Sequence, residues 1–226
     1  NGCCFRHSFQ FPDASTAARA ATFVGWLRYN AARKTRTSAL AGRSAMIRRH
    51  YWWWRHELRD LTLWYASRVP GGTGDWVRAR VFRRHLGALG PDTRIGYGFR
   101  VTSPDKIRIG SHCDFNEGVF ITGGGGVTIG DYVGLGPGVK IWSVNHRYQD
   151  PDTPWILQGH ELLPVAIEDD VWLGANCFVM PGITIGRGSI LSAGTVLMKS
   201  VPEFAIVAGN PGRIVGWRKQ PAQLAK

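Results

Sequence analysis

Residues 167–202 read IEDDVW LGANCF VMPGIT IGRGSI LSAGTV LMKSVP when they are divided into sixes. Each six opens with an aliphatic residue, and its fifth position is small or β-branched. The fifth positions are Val171, Cys177, Ile183, Ser189, Thr195 and Val201. Six unbroken copies of one pattern indicate a repeat architecture before any single-residue propensity is considered.

The spacing within this repeat predicts short strands joined by bends. Positions one and five of a six, and position one of the next, lie four and then two residues apart. That is the parity of a strand, whereas a helix would repeat at threes and fours. Three strands and three bends make one triangular coil of eighteen residues, and stacked coils pair their backbone groups with the coils above and below. The sequence therefore predicts a mainly β fold, a parallel β-helix with an inward column of aliphatic residues.

The same pattern extends back to residue 89 and predicts about five coils. The coils begin at residues 89, 109, 129, 167 and 185, in steps of 20, 20, 38 and 18. The predicted inward residues, coil by coil, are Leu89, Ile95 and Val101; Ile109, Phe115 and Ile121; Ile129, Leu135 and Ile141; Ile167, Leu173 and Val179; and Ile185, Leu191 and Leu197. Each step of 20 adds two residues at a corner, with residues 123–126 at the corner of the second step. The step of 38 contains a twenty-residue insertion, so that one loop, residues 144–164, leaves the stack. A loop of that length in so regular a fold is usually functional.

Charge and composition separate the repeat from what precedes it. Residues 1–90 hold 16 Lys and Arg against 4 Asp and Glu, a net charge of +12, whereas residues 91–226 hold 12 of each. Six of the ten tryptophans also lie before residue 91. We therefore divide the chain into a basic, aromatic-rich helical extension (1–88), the repeat domain with its loop (89–217) and a C-terminal tail (218–226). We also expect a C-terminal segment that caps the stack.

The extension shows helical patterns over 15–30 and 46–68, joined by a basic linker over 31–45. In the second helix, an apolar stripe recurs at threes and fours with arginines between its members, which are Met46, Ile47, Tyr51, Trp54, Leu58, Leu61 and Trp64. Two interpretations stay open for residues 46–68: a surface helix on anionic lipid, or a helix packed on the repeat domain or a partner. Nucleic acid is a third partner class because the pI is about 10.1, but no helix-turn-helix, zinc-finger or RNP pattern supports it. Another helix is predicted from Asp75, as N-cap, to Leu86, with Trp76, Val81, Phe82 and Leu86 buried against the open end of the stack.

Cysteine usage and hydropathy favour a reducing cytoplasm. No apolar run reaches the roughly 20 residues that a membrane span needs, and no signal-peptide pattern is visible. The four cysteines include no CxxC pair and no Cys/His metal spacing, so we expect no metal. Cys177 falls at an inward position, where a free thiol acts as a small hydrophobic group.

His146 is the candidate catalytic residue because it lies at the base of the loop, in Ser143-Val144-Asn145-His146. There the rigid coil fixes the backbone. An imidazole with an ordinary pKa of about 6.5 is mostly free to accept a proton at neutral pH, which suits a general base. The alternative is a surface or packing histidine with no role in chemistry.

These features together resemble the hexapeptide-repeat acyltransferases. The resemblance rests on the sixes, the single corner loop that opens with Asn145-His146, the Val-Trp-Leu-Gly-Ala segment at 171–175, and the Ala-Gly-Asn-Pro segment at 208–211. It covers residues 89–217 and is nearest to the maltose/galactoside and capsule or lipopolysaccharide O-acetyltransferases. It implies a left-handed parallel β-helix, a homotrimer with active sites between subunits, and direct acetyl transfer from acetyl-CoA with His146 as the base.

The resemblance also implies which residues bind acetyl-CoA. Trp172, Gly174 and Ala175 match the segment along the pantetheine arm, and Ala193 matches a position whose backbone contacts the cofactor. Met198, Lys199 and Arg213 match sites near the nucleotide phosphates. Where the family often has a further basic residue, this chain has Gly216.

On the acceptor side, Asn116 falls where some family members have a polar substrate contact, and Tyr148, Asp150 and His160 are expected to shape the pocket.

The leading function is an acetyl-CoA-dependent O-acetyltransferase acting on a sugar or a lipid-linked glycan precursor, in the cytoplasm at the inner face of the membrane. A serine or xenobiotic (antibiotic) acetyltransferase and a structural β-helix scaffold are alternatives. A γ-class carbonic anhydrase shares the coil, but His112, His146 and His160 lack its metal-ligand spacing.

Overall fold

The computed structural model of the chain describes Trp54 and residues 56–220. Residues 56–220 belong to one compact unit. The helix predicted over 15–30, the linker over 31–45, most of the first half of the helix predicted over 46–68 and the end of the tail lie outside the described residues. Within the described part of the chain, no helix is both long and apolar enough to cross a membrane.

In the described part of the chain, two helices precede five coils of three short strands each. Helix α1 spans 56–67, and helix α2 spans Gly71–Phe82. The strands, in chain order, are β1 (Ala88–Leu89), β2 (Arg94–Ile95) and β3 (Arg100–Thr102) in the first coil; β4 (Ile107–Ile109), β5 (Asp114–Phe115) and β6 (Phe120–Thr122) in the second; β7 (Val127–Ile129), β8 (Gly134–Leu135) and β9 (Lys140–Trp142) in the third; β10 (Val144–His146) and β11 (His160–Leu162) in the loop; β12 (Val165–Ile167), β13 (Trp172–Leu173) and β14 (Phe178–Val179) in the fourth; β15 (Thr184–Ile185), β16 (Ile190–Leu191) and β17 (Val196–Leu197) in the fifth; and β18 (Ala205–Ala208) and β19 (Arg213–Trp217) at the end.

The coils stack in the register that the sequence predicts. The first, second and third strands of the five coils pair in parallel as sheets A, B and C. In each sheet the predicted inward residues are direct partners, as in the sheet A series Leu89, Ile109, Ile129, Ile167 and Ile185. The same holds in sheet B and in sheet C. Thirteen of the fifteen predicted inward residues are buried, and the other two, Leu89 and Val101, are half-buried in the terminal first coil.

The fifth positions of the sixes are buried as predicted, including the polar ones. The Ser189 hydroxyl donates to the Pro202 carbonyl (2.9 Å), and the Thr195 hydroxyl donates to the Ser192 carbonyl (2.7 Å). Because a buried hydroxyl without a partner is costly, these bonds explain how the column admits serine and threonine.

The first two corners between sheets C and A contain the extra residues that lengthen the first two steps of the repeat to 20 residues. A 3₁₀ turn, Pro104–Lys106, occupies the corner between β3 and β4. Residues 123–126 occupy the next, where Gly126 N–H donates to the Gly123 carbonyl at 2.8 Å. The loop leaves at this same corner one coil later, between β9 and β12. We call the positions stacked here the C–A corner.

The prediction for helix α2 is wrong at both ends and for one of its buried residues, since the helix ends at Phe82 rather than at Leu86. The helix begins at Gly71 after Pro70, and Asp75 lies inside it, where its carboxylate pairs with Arg78. The glycine run lies in the first turn of the helix. Glycine is required at position 74, because a Cβ there would lie 2.0 Å from the Val69 carbonyl oxygen. Trp76 is 67% exposed, whereas Phe82 and Leu86 are buried as predicted.

Helix α1 packs through Leu63 and two small residues rather than through its predicted apolar stripe. Leu58, Leu61 and Trp64 are exposed, whereas Leu63, Ala66 and Ser67 are buried. The helix approaches the first coil closely enough that Gly98 N–H donates to the Ser67 carbonyl at 2.8 Å. The helical period is confirmed over residues 56–67, but the side of the helix that packs on the first coil is not the one that the period predicted.

The far end of the stack adds a partial sixth turn and then reverses. Val201 bridges to Ile185 in sheet A, and β18 pairs in parallel with β16 in sheet B. Strand β19 then pairs antiparallel with β18, with a register shift between Ile206 and Val207. This hairpin is the predicted capping C-terminal segment.

Candidate active site

The loop between the third and fourth coils is an ordered hairpin. Strands β10 and β11 pair antiparallel, with His146 opposite His160. A 3₁₀ turn, Trp155–Leu157, forms its far end. The Gln158 amide ties the two limbs together by donating to the carbonyls of Asp150 (2.8 Å) and Thr153 (2.7 Å). The backbone at His146 is therefore fixed by strand pairing as well as by the coil from which it leaves.

Aromatic rings surround the His146 imidazole on two sides. The Trp155 ring meets it edge-on with centroids 4.7 Å apart, and the His160 ring lies 4.4 Å away at an angle of 43°. The side chain is half-buried. Among the described residues no group hydrogen-bonds to its ring nitrogens, so both remain free to meet a ligand. The contact between Trp155 and His146 was not predicted, because a single aromatic residue in a loop has no spacing pattern that would indicate its neighbours.

Met198 and Lys199 lie at the C–A corner, like the loop. They follow β17 two coils above the loop, which corresponds to about 10 Å of backbone at the ordinary strand spacing. Both side chains are exposed. In the part of the chain that the structure describes, Lys199 has no carboxylate within 4.0 Å, so its charge is available to an anionic ligand.

Gly174, Ala175 and Ala193 stack at the corner between sheets B and C, the B–C corner. Gly174 N–H donates to the Leu191 carbonyl, and Gly194 N–H donates to the Ala175 carbonyl, both at 2.8 Å. A Cβ at Gly174 would lie 2.6 Å from the Ala193 nitrogen. The stacking itself therefore requires glycine at 174, whatever else this corner does.

Trp172 projects from the outer face of sheet B and is 56% exposed. Its Cδ1 would lie 3.2 Å from a Cβ at Gly134, so the glycine below leaves room for the indole. An exposed indole of this kind provides a flat apolar surface for a ligand.

Within one chain, sheet C separates the predicted residues into two groups. His146, Met198 and Lys199 lie at the C–A corner, whereas Gly174, Ala175 and Ala193 lie at the B–C corner. The outer face of sheet C between them carries aromatic side chains, with the Trp142 and Phe178 rings 5.1 Å apart. A single chain therefore presents the two halves of the predicted site on different edges.

Of the three remaining predicted residues, Arg213 and Tyr148 lie apart from both groups, whereas Asn116 lies at the B–C corner two coils before Gly174. Arg213 opens β19, where its backbone pairs with Ala208, and its exposed guanidinium donates to the Gly212 carbonyl at 3.1 Å. Asn116 follows β5 at the B–C corner of the second coil, where its N–H donates to the Leu135 carbonyl (2.9 Å) as the Gly174 N–H does to Leu191, and its side-chain oxygen accepts a bond from Arg94 (3.2 Å). Tyr148 is exposed on the loop.

The two described cysteines are unsuited to covalent catalysis. Cys113 and Cys177 are buried free thiols, and burial raises the pKa of both. A raised pKa disfavours the thiolate that acts as a nucleophile. Across the described residues, no group of three or more His, Cys, Asp or Glu side chains could hold a metal ion.

Comparisons with known proteins agree with this geometry. Residues 164–199 match the family model described as the hexapeptide repeat of succinyl-transferase. The chain is 37% identical to nodulation protein L of Rhizobium meliloti over 59% of this chain and 72% of that protein. It is 32% identical to galactoside O-acetyltransferase of Escherichia coli over 70% of this chain and 77% of that protein.

A solved structure supports the same conclusion. The hexapeptide-repeat acetyltransferase of Vibrio cholerae, crystallised with acetyl-coenzyme A, superimposes with a TM-score of 0.64 and 28% identity over 73% of this chain and 89% of that one. The chain belongs to the hexapeptide-repeat acetyltransferases, with their left-handed β-helix, and it is an acyltransferase.

Proposed function

We propose that this protein is an acetyl-CoA-dependent O-acetyltransferase whose acceptor is a hydroxyl of a sugar or glycan precursor. The observation that carries the proposal is the setting of His146, whose backbone is held by strand pairing and whose imidazole bonds to no described residue. The galactoside O-acetyltransferase relative supports a sugar as the acceptor class.

His146 acts as a general base in this proposal. Acetyl-CoA, when bound, supplies the acetyl group as a thioester. The imidazole takes the proton of the acceptor hydroxyl as its oxygen attacks the thioester carbonyl, and it returns that proton to the sulfur when the carbon–sulfur bond breaks. A backbone N–H of the cleft is the donor for the negative charge that develops on the carbonyl oxygen. The buried cysteines take no part.

The residues predicted to bind acetyl-CoA have surfaces that suit it. Lys199 and Arg213 are exposed cations without a carboxylate within 4.0 Å among the described residues, and such groups bind phosphates. Trp172 and Met198 offer exposed apolar surface, and Gly174, Ala175 and Ala193 offer a close approach to the backbone.

Because sheet C separates Gly174, Ala175 and Ala193 from His146 in one chain, we propose that the complete cleft forms between neighbouring subunits of a homotrimer. The B–C corner of one subunit then faces the C–A corner and loop of the next. Asn116 and Tyr148 contribute to the acceptor side of that cleft.

The test is a CoA-release screen with acetyl-CoA and a panel of sugars, glycan precursors, serine and aminoglycosides. We expect thiol release with one or more sugars and none with serine. Release with serine or an antibiotic alone would reject the sugar class. If acetyl-CoA neither shifts the melting temperature nor is consumed with any acceptor, a scaffold is the better account.

We also propose that residues 46–68 contact an anionic membrane, which places the enzyme at the inner face. In the described part, Leu61, Trp64 and Tyr65 are exposed on α1, and the Arg68 guanidinium lies 4.1 Å from the Trp64 ring. Exposed aromatic residues beside arginine are typical of interfacial helices.

A double variant, Trp64→Ser with Tyr65→Ser, is therefore expected to weaken binding to phosphatidylglycerol vesicles about tenfold or more, because two apolar side chains no longer insert. Co-sedimentation measures this. Tyr132→Ser, at an exposed tyrosine on the stack, is the matched control. Equal sedimentation of all three proteins would argue against membrane contact.

A further inference from the structure

A basic groove lies between α2 and the first corner that joins sheets A and B. It has a volume of about 310 Å³ and is lined by Trp76, Arg80, Arg83, Arg84, Asp92 and Thr93. Small-molecule sites begin at about 300 Å³. The groove lies on the first coil, whereas His146 leaves the third coil at the C–A corner, so the groove is separate from the proposed catalytic site within the chain.

Three guanidinium groups of this groove have no acidic partner in the described part of the chain. Arg80 lies in the last turn of α2, and Arg83 and Arg84 follow in the turns that end it. None has a carboxylate oxygen within 4.0 Å. The side chain of Arg83 makes one weak bond, at 3.3 Å to the Gly90 carbonyl. By contrast, Arg59, Arg78 and Arg94 each pair with an aspartate.

The helix end alone does not account for this arrangement. A helix C-terminus favours a nearby cation by about 0.3–1 kcal/mol, but like charges three and four residues apart repel each other. The pKa of the adjacent His85 is lowered first by burial and then by the charges of Arg59 and Arg84. Three cations that repel one another and face one concavity are typical of a site for an anion.

Asp92 and Thr93 define the other wall. The Asp92 carboxylate lies 3.7 Å from His112 Nδ1, and the Thr93 hydroxyl donates to the Gly110 carbonyl at 2.9 Å. Three arginines and one aspartate leave a formal charge of +2 in the groove. A phosphate monoester carries about −1.5 to −2 at pH 7, and guanidinium groups bind phosphate oxygens in pairs.

We propose that this groove binds a phosphate monoester group, with Arg80, Arg83 and Arg84 as its ligands and the exposed Trp76 indole covering the group attached to the phosphate. The proposal does not depend on the acetyl acceptor. The phosphate can belong to a soluble ligand or to a lipid headgroup, and the two sources are separated by experiment.

Binding of inorganic phosphate to the full chain is measured by isothermal titration calorimetry at pH 8, where the ligand is a dianion, and binding to phosphatidic acid vesicles is measured by co-sedimentation. Arg80→Gln, Arg83→Gln and Arg84→Gln are each expected to weaken binding about tenfold. Arg187→Gln, at an exposed arginine on the A–B edge of a distant coil, is the matched control and is expected to bind as the parent does.

Asp92→Asn gives the sharper test, because it removes the only negative charge of the groove and is expected to tighten binding about threefold. The backbone at Asp92 has φ of 53°, which asparagine adopts readily, so the fold is retained. A role of Asp92 in stability alone would not produce tighter binding.

Phosphate binding in solution that is lost in the arginine variants supports a soluble ligand. If phosphatidic acid vesicles bind more tightly than phosphatidylglycerol vesicles, and this difference is lost in the same variants, a lipid headgroup is supported, because phosphatidic acid carries a phosphate monoester and phosphatidylglycerol a diester. The proposal is overturned if the parent protein binds neither phosphate nor phosphatidic acid vesicles. It is also overturned if the arginine variants bind as tightly as Arg187→Gln.

Discussion

Replacing His146 with alanine is expected to lower kcat/KM for acetyl transfer by about 10²–10⁴, the usual contribution of a positioned general base. The imidazole is set in place by the β10–β11 pairing and by contacts with Trp155 and His160, and alanine leaves the acceptor hydroxyl with no group to take its proton. The loss should appear mainly in kcat, because the base acts in the transition state rather than in donor binding. Initial rates of CoA release at saturating acetyl-CoA measure it.

Two controls accompany this variant. His112→Ala removes a histidine at the edge between sheets A and B, and it should retain the parent rate. The dissociation constant for acetyl-CoA and the melting temperature of His146→Ala should both stay near the parent values, since a half-buried loop side chain contributes little to either. A fall in rate of less than about threefold would remove His146 from the chemistry.

Replacing Arg78 with leucine is expected to destabilise the fold by about 3 kcal/mol, the largest stability effect that we expect from a single charged residue. Arg78 is 2% exposed. Its guanidinium donates to the carbonyls of Ile95 (2.6 Å) and Val69 and to the Asp75 carboxylate. Leucine would leave two carbonyls and one carboxylate without their donor. Because the Asp75 side chain is 34% exposed and water can partly replace the lost partner, the lower end of the usual cost of breaking a buried ion pair applies.

Urea unfolding followed by tryptophan fluorescence measures this free energy. Arg108→Leu, on the outer face of sheet A, provides the comparison and should change stability by less than about 0.5 kcal/mol. If the two variants unfold at the same urea concentration, the buried guanidinium does not hold α2 on the first coil.

The sequence predicted the coil register completely for a physical reason. A strand alternates its side chains with a period of two, so a slip of one residue would expose the whole inward column. Ile109, Phe115 and Ile121 could therefore occupy only one set of positions, and their burial follows. The long loop was equally predictable, because the step from residue 129 to 167 leaves twenty residues that the coil cannot absorb.

The helices and the surroundings of His146 were less predictable because they depend on contacts between distant residues. Aspartate is a common N-cap residue, but the Asp75 carboxylate forms an ion pair with the buried Arg78 instead. Leu58 and Leu61 follow the helical period, but they are exposed because the helix packs on the first coil through the side that carries Ser67. Neither preference is visible in local spacing. The pairing of His146 with His160 likewise depends on the hairpin within the loop, for which no alternation in the sequence gave a signal.

The reversal of the chain after β18 limits how the molecule can associate. Parallel coils expose a row of backbone donors and acceptors at each end, and an uncovered end would serve as a template on which further molecules could add and grow into fibres. Here β19 runs antiparallel with a register shift, and the exposed cations Arg213 and Lys219 lie along or beside it. Irregular pairing and repelling charges oppose such growth. The stack is thereby kept at a finite length, and its long sides remain the surfaces on which subunits can meet.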